Sequence, residues 1–159
     1  MTQTDLDLDQ LGRYLRTAAP HIGRLTDAQK FSGGQSNPTY LLHTDDAQYV
    51  LRSKPRGQLL KSAHAVEREY RVMRALKDTA VPVPEVLCLC EDIDVIGAVF
   101  FVMSYEQGRV FWDPALPELN PSDRSAVYAD EIRVLAALHS LAPASIGLQD
   151  FGRPGNYFE

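Results

Sequence analysis

The sequence is poor in several things, and each shortage excludes something. It holds two cysteines, one tryptophan and three methionines in 159 residues. Cys88 and Cys90 do not make a disulfide framework, so a reducing, cytoplasmic setting is expected. Their C-x-C spacing comes with no second pair and no nearby histidine. That argues against zinc and for two positions on a half-buried strand. Long apolar runs are missing too: Val95–Met103, broken by Gly97, is the longest, well short of the ~20 residues that span a bilayer. The opening Met1-Thr2-Gln3-Thr4-Asp5 has no apolar stretch behind a basic one, so no signal peptide is expected. Positive charge is not in excess: 16 Lys and Arg stand against 21 Asp and Glu, a net −5, which excludes a general nucleic-acid binder. There is no internal repeat and no low-complexity tract. What is present is a 45% hydrophobic fraction, enough to bury the core of one ordinary domain.

Hydrophobic periodicity orders the chain. Residues 6–18 predict an amphipathic helix with Leu8, Leu11 and Leu15 on one stripe, ended by Pro20 and Gly23. A strand precedes the loop Gly33-Gly34-Gln35-Ser36-Asn37, and Thr39–His43 and Tyr49–Ser53 are strands joined by a turn at Asp45-Asp46. Residues 62–77 predict the clearest helix, with Ser62 as N-cap and Val66, Tyr70, Met73 and Leu76 on one face. After Pro82 and Pro84, Val86–Cys90 and Val99–Met103 read as two more strands. A linker follows, then Asn120-Pro121 opens a helix to about Leu141 as N-cap and first-turn proline, with Tyr128, Ile132, Leu135 and His139 on one stripe. Five strands and one main helix predict an α+β unit with an antiparallel sheet covered on one face. The expected divisions are an N-terminal helical segment (1–27), a lobe (28–106), a linker (107–120) and the start of a second helical unit (121–159).

Four pieces carry chemistry. A glycine pair between antiparallel strands lets backbone N–H groups approach an anion closely, and Ser36 and Asn37 add polar groups; a plain hairpin loop uses the same residues. On the third strand, the period of two puts Val50, Arg52 and Lys54 on one face, an apolar contact followed by two cations. Either cation suits phosphate, and an edge strand guarded by charge would read alike. Glu69 lies within the apolar stripe of the main helix, where a buried carboxylate needs a cation; Arg52 is the natural partner, unless Glu69 sits solvated at the rim. Finally, Phe101-Val102-Met103 runs into Ser104-Tyr105-Glu106-Gln107-Gly108; taken alone this reads as a strand end and a loop, and as an extended hinge its backbone groups could pair with a base edge.

Their order is more specific than any one piece. It resembles the nucleotide-binding lobe of a protein-kinase-like phosphotransferase. The segments Phe31–Tyr40, Tyr49–Arg52, Arg68–Leu76, Val102–Gly108, Leu138–Leu141 and Gly147-Leu148 are similar to the aminoglycoside phosphotransferase-like family. The likeness is strongest to the branch with a kinase-like domain fused to some acyl-CoA dehydrogenases, and it covers roughly 28–155. It implies an ATP site: Gly33, Gly34, Gln35, Ser36 and Asn37 over the phosphates, Val50 against the adenine, and Arg52 in place of the usual strand lysine. Glu69 would orient Arg52, Met103 would be the gatekeeper, and the hinge Ser104-Tyr105-Glu106 would meet the adenine edge through the Ser104 carbonyl and Glu106 N–H. It also implies Mg²⁺ and a small-molecule hydroxyl acceptor as partners.

The resemblance places catalysis in an H-G-D-x-x-x-x-N loop and a later Asp motif that these residues do not contain. No catalytic or metal-binding residue is therefore expected here, and the chain alone is expected to be inactive. His43-Thr44-Asp45 has Val50 where the asparagine should follow. Asp150-Phe151-Gly152 lacks a preceding catalytic loop and reads as a turn. His64 is expected to be solvated and His139 to be packed in a core or interface; Phe111 and Trp112 either line a substrate cleft or pack over the linker, and packing is favoured. The rival reading is a non-catalytic kinase-lobe module for nucleotide sensing or protein interaction, self-associating through an exposed lobe face.

Overall fold

The computed structural model describes residues 2–3, 5–32, 36–57 and 64–152. Two compact units emerge, residues 1–74 with 84–106 and residues 75–83 with 107–159.

The first unit is built on an antiparallel sheet. Its strands are β1 (Thr2–Gln3), β2 (Leu25–Lys30), β3 (Thr39–Thr44), β4 (Gln48–Ser53), β5 (Val86–Cys90) and β6 (Phe100–Ser104). They lie in the order β1-β2-β3-β4-β6-β5. Strands β2 to β6 are the five anticipated; the two-residue β1 adds a sixth at the edge by pairing Thr2 with Lys30 and Gln3 with Gln29. The first long strand starts at Leu25, earlier than the composition change near residue 28 suggests, because Leu25 and Asp27 already pair with Thr44 and His43. The β3–β4 turn is closed at Thr44, whose N–H donates to the Ala47 carbonyl at 2.9 Å and whose hydroxyl accepts from Ala47 N–H at 3.0 Å.

The period of two divides the strands between two faces. One face carries Tyr40, Leu42, Leu51, Phe100 and Val102, which form the core with Leu11 and Leu15 of helix α1 (Leu8–Ala18). Asp7 caps α1 by accepting from Gln10 N–H at 2.9 Å, and the Gln10 side chain donates to the Asp94 carbonyl at 2.7 Å. The N-terminal helix is thus a covering layer of the sheet. Gly23, at φ 77°, turns the chain from α1 into β2, and a Cβ there would meet Asp45 Oδ1 at 2.5 Å. The other face, through Arg52 and Phe101, meets helix α2 (Val66–Leu76), whose Tyr70 ring lies 6.1 Å from Phe101. Ser62 lies outside the described residues.

In the second unit Asn120 caps helix α3 (Pro121–His139) by accepting from Asp123 N–H at 2.9 Å, with Pro121 in the first turn. Phe111 lines a cavity with Pro114, Leu116, Val127, Tyr128 and Glu131, and the Tyr128 hydroxyl donates to the Pro114 carbonyl. The expected packing fails at two places. Trp112 is 88% exposed, and the stripe at Tyr128, Ile132 and Leu135 is exposed along with His139, since no described layer lies over it. No helix among the described residues is long and apolar enough to cross a membrane.

Two predictions follow from the core. Cys88 and Cys90 are free and buried, and burial pushes the Cys88 thiol up to about 11 and raises Cys90 as well. Both should resist a thiol reagent at pH 8 in the native protein and react in denaturant, where thiolate is accessible. The second concerns Asp5, which accepts from the buried Tyr40 hydroxyl at 2.8 Å and lies 3.5 Å from Arg56. The Tyr40 bond, and then the Arg56 charge, hold its carboxyl below the ordinary value against the cost of burial. A depressed carboxyl stabilises the fold above its ordinary value near pH 4, and that contribution is lost as pH falls through the folded value. Tyr40→Phe should cost about 1 kcal/mol in urea denaturation at pH 7, low in range because Asp5 is half exposed, and clearly less at pH 3.

Candidate functional site

Strand β4 presents Val50 and Arg52 on the α2 side of the sheet. Val50 pairs with Met103 and Arg52 with Phe101 across β6, while Thr39 of β3 stands opposite Arg52. Val50 is buried and Met103 half-buried. An apolar step beside a cation is therefore built into two adjacent strands.

Arg52 meets Glu69 across the gap to α2. Its Nε donates to Glu69 Oε2 at 2.5 Å and its Nη2 to Glu69 Oε1 at 3.3 Å, a two-pronged pair. Nη1 donates to Thr39 Oγ1 at 3.2 Å, and that hydroxyl donates on to the Asn37 carbonyl at 3.1 Å. The pair is neither buried nor free, with side chains 31% and 36% exposed. Among the described residues, three of the five guanidinium N–H groups have these acceptors.

Lys54, the second cation of the face, is committed separately. Its Nζ lies 2.7 Å from Glu67 Oε1, one residue pair earlier on α2. Burial alone would raise Glu67, but the Lys54 hydrogen bond and charge outweigh it and hold the carboxyl below its usual range. Two cations at i and i+2 on the chain of β4 thus meet two carboxylates at i and i+2 on α2, which fixes strand to helix at two points.

Asn37 is placed differently from a simple phosphate-loop residue. It is 5% exposed, and its side chain is spent inside the protein: Nδ2 donates to Glu69 Oε1 at 3.0 Å, and Oδ1 lies 2.9 Å from His64 Nδ1. His64 is accordingly half-buried and partnered instead of solvated. It precedes α2 with φ 61°, and its carbonyl accepts from Val66 N–H at 2.9 Å. Sequence pattern had no way to find it, since a histidine before a helix carries no periodic signal.

The hinge leaves the sheet at Ser104, whose hydroxyl accepts from Glu85 N–H at 3.0 Å and donates to Glu106 Oε1 at 2.5 Å. Tyr105 and Glu106 are exposed and outside regular structure. Ser36 is exposed; Gly33, Gly34 and Gln35 lie outside the described residues. His43-Thr44-Asp45 forms the end of β3 and the start of its turn.

Residues 27–159 match the family model described as the phosphotransferase enzyme family, APH. The chain is 46% identical over 150 residues to acyl-CoA dehydrogenase family member 10 of Mus musculus, covering 94% of this chain and 14% of that protein. It is 44% identical over 162 residues to acyl-CoA dehydrogenase family member 11 of Homo sapiens, covering 99% of this chain and 21% of that one. The chain therefore spans about a fifth or less of these curated relatives. Among solved structures, an aminoglycoside phosphotransferase-like protein of Ralstonia eutropha superposes with a TM-score of 0.83 at 44% identity, over 96% of this chain and 44% of its own. A thermostable mutant of aminoglycoside phosphotransferase APH(4)-Ia, solved with AMP-PNP and hygromycin B, shares the fold at a TM-score of 0.57 and 21% identity, over 85% of this chain and 40% of its own. The sheet with α2 is thus the kinase-like N-terminal lobe of an aminoglycoside phosphotransferase fold.

The strand–helix pair should show as a coupling energy. In a double-mutant cycle of Arg52→Ala and Glu69→Gln followed by urea denaturation, about 1–2 kcal/mol is expected, between an exposed pair and a buried one. Arg52→Lys should recover less than half of it, because an ammonium does not reproduce the fork.

Proposed function

Because the chain belongs to the phosphotransferase enzyme family, we propose that it is the nucleotide-binding part of an ATP-dependent kinase of small molecules, which transfers the γ-phosphoryl group to an acceptor hydroxyl. The observation that carries this reading is the Arg52–Glu69 pair beside the Val50–Met103 step. The apolar step suits the flat face of an adenine. The two guanidinium donors without an acceptor among the described residues, and the positive charge, suit phosphate oxygens. Glu69 fixes the guanidinium plane, so its free donors are aimed before a ligand arrives.

The remaining roles are assigned by position. Gly33, Gly34, Gln35 and Ser36 would lie over the phosphates; Asn37, whose amide is spent on Glu69 and His64, keeps only its backbone for that task. The Ser104 carbonyl and Glu106 N–H, on either side of Tyr105, would meet the adenine edge. Arg52, whose planar fork can keep a carboxylate and still meet phosphate oxygens, is assigned the phosphate-facing role in preference to Lys54, whose ammonium is held by Glu67. Mg²⁺ supplies charge neutralisation in phosphoryl transfer. Among the described residues no group of three His, Cys, Asp or Glu side chains could hold a metal ion, so no metal-ligand role is assigned to them. The acceptor is assigned only as a hydroxyl compound, in a cytoplasmic setting. The 159 residues contain no H-G-D-x-x-x-x-N run, and no turnover is assigned to them alone.

A second reading rests on the exposed apolar stripe of α3, at Tyr128, Ile132, Leu135 and Leu138. It makes the chain a nucleotide-sensing or protein-interaction module that self-associates.

Thermal unfolding with AMP-PNP and Mg²⁺ tests the first reading. Ligand at a hundred times its Kd adds about 2.7 kcal/mol, or a rise in Tm of about 5–10 °C at this size. Arg52→Ala should abolish most of the rise. A wild-type protein whose Tm ignores the nucleotide would overturn the ATP site and leave the interaction module.

A further inference from the structure

The Arg52–Glu69 pair does not end at Glu69. It continues through Asn37 to His64, and elementary hydrogen-bond chemistry fixes the polarity of the whole chain. Glu69 is held by a guanidinium, so its carboxylate only accepts. The group that Asn37 turns toward Glu69 Oε1 at 3.0 Å must therefore be its NH₂. The Asn37 carbonyl oxygen then faces His64 Nδ1 at 2.9 Å, and since that oxygen only accepts, Nδ1 must carry the proton. Each link dictates the next, from His64 Nδ1–H to Asn37 to Glu69 to Arg52.

We propose that Asn37 and His64 are positioning residues that hold the Glu69 carboxylate, and through it the phosphate-facing guanidinium of Arg52. Three features support this. Asn37 is almost completely buried, and all its side-chain atoms have partners within the relay, so its placement serves the pair and not the solvent. His64 stands at φ 61°, a backbone conformation that a non-glycine residue occupies at a cost, and from there its ring reaches Asn37. The two residues also join separate parts of the chain: Asn37 directly follows Gly33–Ser36 in sequence, and His64 lies two residues before α2. The start of β3, the helix entry and the strand cation are thereby bound into one network.

This inference rests on the nucleotide reading for its purpose, yet it can be tested without nucleotide. In the full 159-residue chain, ¹⁵N NMR at pH 8.5 should show His64 with a proton-bearing Nδ1, and an Arg52 Nε–H that is shifted and slow to exchange. Asn37→Ala should release both signals. His64→Gly, which suits the left-handed backbone but removes the donor, should release the Arg52 signal too. His64→Asn tolerates the same backbone and places an amide N–H where Nδ1 stands, so it should restore the Arg52 signal. If Asn37→Ala fails to fold, the two His64 variants carry the test. A bare Nδ1 in wild type, or an Arg52 Nε–H indifferent to His64→Gly, overturns the relay. So does equal loss in His64→Gly and His64→Asn, which would mark a merely space-filling role. AMP-PNP titration separates the two readings. Where wild type binds AMP-PNP, Asn37→Ala and His64→Gly should bind about tenfold more weakly and His64→Asn like wild type, the loss of one charge-assisted bond. Absence of wild-type binding, with the NMR signals as expected, overturns the nucleotide site and leaves the relay standing.

Discussion

A guanidinium on an inner strand can lie beneath a helix only if a carboxylate meets it there. Arg52 is in that position, and most of the site follows from it. The charge cannot be left unpaired at the edge of a core, so Glu69 must come from α2, and α2 must dock in the register that brings it. Lys54 and Glu67 repeat the demand one step away and remove the freedom of the helix to slide. The pair is a third exposed, which keeps its desolvation cost modest.

The opposite face of the same strands solves the other problem, stability. Leu51, Tyr40, Leu42, Phe100 and Val102 alternate with the site residues and bury themselves against α1. One strand thereby serves both purposes, with Leu51 in the core and its neighbours Val50 and Arg52 turned to the site. The hydrophobic layer sits away from the charges, so the polar network need not be buried deeply for the sheet to be stable. Asp5 and Arg56, at the margin of the core layer, tie the start of the chain to the turn after β4.

Much of this was legible in the residues. Val86–Cys90 and the strands around Thr39 and Tyr49 show period-two or β-branched patterns bounded by turn residues, and they form where expected. Asn120-Pro121 names its helix start because a side-chain oxygen and a missing N–H suit that place for local reasons. The Arg52–Glu69 pairing was legible because a carboxylate on an apolar stripe has few ways to be satisfied. Other contacts were not legible. His64 and Asn37 found each other across 27 positions, a long-range contact that no local pattern encodes. Trp112 and the α3 stripe are apolar and exposed, since hydrophobicity states a preference and not the presence of a covering layer. The edge strand Thr2–Gln3 was missed because two residues carry no period.

Side-chain order alone set the longer strands and helices, which of their faces would be apolar, and that the Arg52 cation and the Glu69 carboxylate would need each other. These are local consequences of side-chain period, capping and the cost of an unpaired charge. Folding added the second pair, Lys54 with Glu67, and turned Asn37 inward to Glu69 and His64. Those choices depend on distances of a few ångströms between elements far apart in the chain, set by how α2 docks on the sheet.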